Sequence, residues 1–138
     1  AANQAMLLIK AWLLTGEKKY AVAALSNLDY LTGRNATGYS FITGFGKKTP
    51  MFPHHRPSEA DGIVEPVPGF LVGGPNKNAA TQDKCVYPRL EPELQYIDKG
   101  CSYASNEIAI NWNAPLVYIT GAFEALKYRL KLTVKQYD

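Results

Sequence analysis

Apolar residues recur at helical spacing in three parts of the chain. Met6, Leu7, Ile9, Leu13 and Leu14 alternate between i+3 and i+4 steps, and Gly16 follows them, which predicts a helix over 4–15 with a glycine stop. Tyr20, Ala21, Ala24, Leu25, Leu28 and Leu31 form one stripe over 17–31, with Gly33 just beyond. The short link between them predicts an antiparallel helical hairpin. A third helix is predicted over 116–132, apolar at Leu116, Val117, Ile119, Ala122, Phe123, Leu126, Tyr128 and Leu130 and basic at its end. Pro115 sits in its first turn or kinks a longer helix begun near Ser105.

Between these helices the pattern collapses. Gly33 to Pro92 holds eight of the nine prolines and eight of the eleven glycines, a density that excludes regular helix. A connection this long points to a functional surface. Ser40–Thr43 and Gly62–Val72 are candidate short strands.

The stretch from Tyr96 to Ala114 carries Asp98 and Glu107 into the start of an apolar helix. Placed among Tyr96, Tyr103, Trp112, Ile108 and Ile110, Glu107 is predicted to favour its neutral form, because desolvation raises an acid's pKa. That makes a proton donor near neutral pH. The competing possibility is a first-turn carboxylate with Ser105 as cap, aided by the helix dipole. A second polar cluster, His54, His55 and Arg56, lies between Pro53 and Pro57. Two apart in extended backbone, His54 and Arg56 point to one side, which suits a hydroxyl-rich or anionic ligand; the alternative is a solvated His pair and Arg. Adjacent histidines without a Cys/His partner make a weak zinc site. Asp61 and Asp83 are equally weak as calcium ligands, so no metal and no cofactor are expected.

With 138 residues and 46% hydrophobic content, the chain is one domain or a piece of one. A net charge of +3 is scattered, so nucleic-acid and membrane surfaces are not expected partners. Cys85 and Cys101 are open to pairing or to two free thiols. No membrane-length apolar run and no signal-peptide pattern occur, and the opening Ala1 inside a helical pattern suggests a fragment or mature piece. Asn35-Ala-Thr37 matches a glycosylation acceptor but also suits a structural turn. Gly73-Gly-Pro-Asn lacks the Lys and helix of a phosphate loop.

Two long patterns carry a resemblance. Ser40-x-Ile42-Thr43-x-x-Gly46-x-Lys48-x-x-x-x-Pro53-His54-x-Arg56 and Tyr96-x-Asp98-x-x-x-x-Tyr103-x-x-x-Glu107-x-Ala109-x-x-x-Asn113-Ala114 resemble, without mismatch, the two signatures of the family 9 glycoside hydrolases, the endoglucanases and cellulases of family E. Asp29 to Asn35 and Gly69 to Asn76 extend the likeness over nearly the whole chain. The resemblance implies a mainly α fold, the C-terminal portion of an (α/α)6 barrel whose Gly/Pro-rich loops form a cleft for a β-1,4-glucan or cello-oligosaccharide. All of residues 1–138 are then the C-terminal segment of one catalytic domain. It further implies Glu107 as general acid and Asp98 as a second motif acid supporting the site. His54 and Arg56 are implied as sugar contacts at the cleavage point and Trp112 lies next to the sugar, with Tyr103 and His55 taken as further substrate-binding residues. The family works with inversion, in which about 6.5–9.5 Å separates acid from base.

One departure limits this chain. The family's base belongs to an aspartate pair far upstream, and none of Asp29, Asp61, Asp83, Asp98 and Asp138 forms a close pair. The remainder of the catalytic domain is therefore an implied partner, with Asp98 as the only substitute base in view. The isolated segment is expected to bind glucan weakly and hydrolyse nothing. A glucan-binding fragment without catalysis is the alternative function. Secretion is inferred from the polymeric substrate alone.

Overall fold

A computed structural model describes residues 1–131. Six helices follow one another: α1 (Ala2–Thr15), α2 (Lys18–Leu31), α3 (Arg56–Ala60), α4 (Ala79–Gln82), α5 (Tyr103–Asn106) and α6 (Ile110–Leu126). Gly16 closes α1 in the left-handed region at φ 73°, and its N–H donates to the Trp12 carbonyl at 2.8 Å. That conformation suits glycine, and Glu17, in extended backbone, takes the position just before α2 without a side-chain capping bond. The predicted hairpin forms, and α1 packs on both α2 and α6. Ala5, Ile9, Ala24, Leu31, Leu116, Ile119 and Phe123 make the core between them, with the fully buried Ala5 and Ala24 offering little bulk at the helix contacts.

The last helix differs from expectation. It starts at Ile110, six residues earlier than the apolar run predicts, and ends at Leu126, so of the two placements of Pro115 the longer helix is the one found, though begun at Ile110 and not near Ser105; Leu132 lies outside the described residues. Pro115 is inside it, so the Asn111 carbonyl loses its i+4 donor. The Asn3 side-chain amide, from α1, reaches that carbonyl at 3.4 Å. A hydrogen bond spanning the chain thus covers the defect.

The Gly/Pro-rich region contains two one-turn helices that its composition argued against, α3 and α4. Pro57 is compatible with α3 because it falls in the first turn, where its missing N–H costs nothing. The expected strands reduce to isolated bridges, Ile42 with Leu71, Val72 with Ile108 and His54 with Glu107. Phe41 N–H donates to the Leu31 carbonyl at 2.8 Å, which ties this layer to the end of α2. Its side-chain partner on α6 is Asn113. The Asn113 amide accepts from Leu71 N–H at 2.8 Å and donates to Leu71 carbonyl at 2.9 Å, replacing a neighbouring strand.

Cys85 and Cys101 are joined in a disulfide. It fastens a small second core of Ala79, Cys85 and Tyr87 to the turn before α5. Asn35 holds a turn rather than presenting its amide: Oδ1 accepts from Thr37 N–H and Gly38 N–H, each at 3.0 Å, and Nδ2 donates to the Tyr30 and Tyr39 carbonyls. Among the described residues no helix is long and apolar enough to cross a membrane.

Candidate active site

Glu107 does not open a helix. Ser102 carbonyl takes up the Ser105 and Asn106 N–H groups at 3.1 and 2.8 Å, which winds α5, and Glu107 follows in extended conformation at φ −63°, ψ 146°. Gly73 N–H donates to its carbonyl at 3.1 Å, while His54 N–H donates to the preceding carbonyl, that of Asn106, at 2.9 Å. Two loops therefore hold the Glu107 backbone from opposite sides. Ser105, expected as a cap, sits inside α5 with its hydroxyl 3.2 Å from that of Tyr87.

The enclosure expected around Glu107 is also different. Its side chain is exposed, so the described residues do not supply the desolvation on which the argument for a neutral acid rested. Tyr96 turns into the core against Tyr39 and Phe41, at ring distances of 4.9 and 5.2 Å, and burial pushes its phenol pKa up. Ile110 is 86% exposed. Tyr103 and Trp112 do join Glu107: with Gly73, Gly74, Pro75, Asn76, Gln82 and Ala104 they line a groove of about 360 Å³. Trp112 is set by its indole N–H, which donates to the Leu71 carbonyl at 3.0 Å. Tyr103 is set by its hydroxyl, which donates to the Gln82 carbonyl at the end of α4. Gly74, at φ 81°, lets the backbone turn beneath this groove, and its N–H donates to the Ser105 carbonyl at 2.8 Å.

His54 is exposed, its ring 6.1 Å from that of Tyr103. Asp98 braces the loop behind it. Its carboxylate accepts from Met51 N–H at 2.7 Å, Phe52 N–H at 3.0 Å and the Asn106 amide at 3.0 Å, so both oxygens are engaged by anchoring contacts. Extended backbone continues only to His55, at φ −141° and ψ 97°. Arg56 opens α3, so the alternation argument that paired it with His54 stops one residue short. His55 lies apart, its Nδ1 2.9 Å from Ser58 Oγ and its ring 4.8 Å from Phe70.

Sequence reasoning passed over Asn106, which is fully buried. Its Oδ1 accepts from Tyr96 hydroxyl at 2.6 Å, and its Nδ2 faces Asp98, Ser102 Oγ at 3.1 Å and the Phe52 carbonyl at 3.2 Å. An amide directly before the central carboxylate was the available signal. Asp83 was likewise more than a weak metal ligand: it accepts from Tyr87 hydroxyl at 2.7 Å and Cys85 N–H at 3.0 Å, steadying the layer under α5. Among the described residues no cluster of His, Cys, Asp and Glu is arranged to hold a metal.

Helices packed as a barrel segment, with loops gathering a carboxylate, a tyrosine and a tryptophan at one groove, define a portion of an (α/α)6 barrel enzyme. The chain belongs to glycosyl hydrolase family 9, whose profile matches residues 1–120. It is 51% identical over 124 residues to a xyloglucan-specific endo-beta-1,4-glucanase of Bacteroides ovatus, a match covering 90% of this chain and 21% of that protein. A solved Bacteroides ovatus family 9 structure superposes with TM-score 0.79 at 47% identity, over 91% of this chain and 21% of that one. A family member solved with cellobiose-like isofagomine gives TM-score 0.68 at 37% identity, over 88% and 25%. The chain thus spans about a fifth to a quarter of these relatives.

Proposed function

We propose that residues 1–138 are the C-terminal segment of one catalytic domain that hydrolyses β-1,4-glucosidic bonds in cellulose or a related β-glucan, with inversion. Family membership supports the reaction class, and the name of the Bacteroides relative brings xyloglucan into the substrate range. The observation that carries the assignment is the groove shared by Glu107, Tyr103 and Trp112. An exposed carboxylate beside two aromatic rings suits a sugar face and the oxygen to be protonated.

In the mechanism, Glu107 donates its proton to the leaving glycosidic oxygen as the C–O bond breaks. A water on the opposite face attacks the anomeric carbon and gives up its proton to a base outside this segment, an aspartate of the missing portion. Asp98 is unsuited as that base, since both its oxygens accept backbone and amide hydrogens. His54 and Arg56 contact the sugar, Trp112 and Tyr103 stack on it, and His55 supports their loop. The complete domain completes the walls around Glu107 and supplies the desolvation this segment lacks. A disulfide fits an extracytoplasmic setting.

The segment alone, offered a soluble β-1,4-glucan, releases no reducing ends, whereas the complete domain does so and its first product is the α-anomer by NMR. Turnover by the segment alone places the base within it; a first-formed β-anomer replaces inversion by retention.

A further inference from the structure

We propose that Asn106 is the positioning residue that keeps the His54 loop in register with Glu107, a role that rests on Glu107 being the general acid. Three observations converge on it. Its main-chain carbonyl accepts the His54 N–H at 2.9 Å, one peptide before Glu107. Its side-chain nitrogen meets Asp98 Oδ1 at 3.0 Å and the Phe52 carbonyl at 3.2 Å, the carboxylate and the backbone that bracket the same loop. Its oxygen takes the Tyr96 hydroxyl at 2.6 Å.

The orientation of this amide is fixed by its partners. Around Nδ2 stand the Asp98 carboxylate, the carbonyls of Phe52 and Ile97, and Ser102 Oγ. Turned over, the amide would set its oxygen against a carboxylate and two carbonyls, so it has one workable pose. With no exposed surface, water cannot replace a lost partner. A buried amide held in one pose, and bonded to both loops, transmits the position of one to the other. Asn106 is not itself one of the residues lining the groove, and so it acts through Glu107 and His54.

The test uses the complete catalytic domain that carries this segment, with rates normalised to folded protein by near-UV circular dichroism. Asn106→Asp sets a second carboxyl against Asp98, and the pair can sit together only by sharing a proton. Its kcat falls at least about tenfold at neutral pH while KM stays within about twofold, and the rate recovers on acidification as that proton returns. Tyr96→Phe keeps the ring and removes the donor to Asn106 Oδ1; its kcat per folded molecule falls several-fold with KM unchanged. A wild-type kcat and pH profile in Tyr96→Phe overturns the proposal even if Asn106→Asp does not fold, as does a loss explained wholly by the folded fraction. Glu107→Gln, run alongside, separates the two claims. If it keeps turnover, the acid assignment fails; if it loses turnover while the Asn106 and Tyr96 variants match wild type, only the positioning role fails.

Discussion

The Asp98 carboxylate and the Met51 N–H lie 2.7 Å apart, which makes this motif acid an anchor for the loop that carries His54. Asparagine in its place must turn its NH2 toward a backbone N–H or give up one of the accepted bonds. Asp98→Asn therefore destabilises the protein by about 1–3 kcal/mol and lowers kcat/KM on glucan. Thermal melting decides the first part; an unchanged melting temperature would contradict the anchoring role.

Reduction of the Cys85–Cys101 bridge releases a crosslink between positions 16 apart in sequence. The expected cost is about 3 kcal/mol, seen as a lower denaturation midpoint for Cys85→Ser/Cys101→Ser. Hydrogen exchange should rise at the Ala104 and Cys85 amides, both bonded to Asp83. Unchanged exchange there would mean that the second core stands without its crosslink.

Burial, opposed by the Ser105 hydrogen bond and reinforced by Asp83, pushes the Tyr87 phenol from its ordinary value of 10.0 up to about 12. Tyr96 is shifted the same way by burial and by the charge of Asp98. A raised folded-state value means that the folded chain holds the proton more tightly than the unfolded one. The resulting stability is fully present below pH 10 and is lost as pH rises through about 12 for Tyr87. Melting temperature measured against pH should fall across that window, and Tyr87→Phe should flatten its start.

Asn35 donates to the Tyr30 and Tyr39 carbonyls at 2.7 and 2.8 Å, which leaves no amide hydrogen for a glycan linkage. Expressed in a glycosylating host, the folded chain should show no glycan at Asn35 by peptide mass. Asn35→Ala should destabilise by about 1–3 kcal/mol, the cost of unpaired turn groups. A glycan at Asn35 on folded material would show that the turn tolerates opening.

Local signals made the scaffold readable. The stripes of α1 and α2, Gly16 between them and the two long motifs all report on neighbours within a few residues. What escaped were the partners supplied from far along the chain. The start of α6 was hidden by Pro115, whose cost is met by Asn3, and the pairing of Cys85 with Cys101 depends on how α4 folds back toward α5. The surroundings of Glu107 were misjudged because closeness in sequence did not mean closeness to its carboxylate: next to the extended Glu107, Ile108 turns to the opposite side and packs with Tyr96 on the core, while Ile110 opens α6 and faces outward. Asn106 was passed over because its role depends on how the chain folds back on itself: four of its side-chain partners, at Tyr96, Ile97, Asp98 and Ser102, return to it from the preceding turn, and the fifth, the Phe52 carbonyl, comes from 54 positions away.

The role of Glu107 is tested most directly by comparing Glu107→Gln with wild type in the complete catalytic domain, measuring turnover and calorimetric binding of one cello-oligosaccharide. A general acid predicts a kcat lowered about 10²–10⁴-fold with Kd changed by less than about twofold. Turnover retained in Glu107→Gln would contradict the assignment, and binding lost together with turnover would make Glu107 a substrate contact instead of the acid.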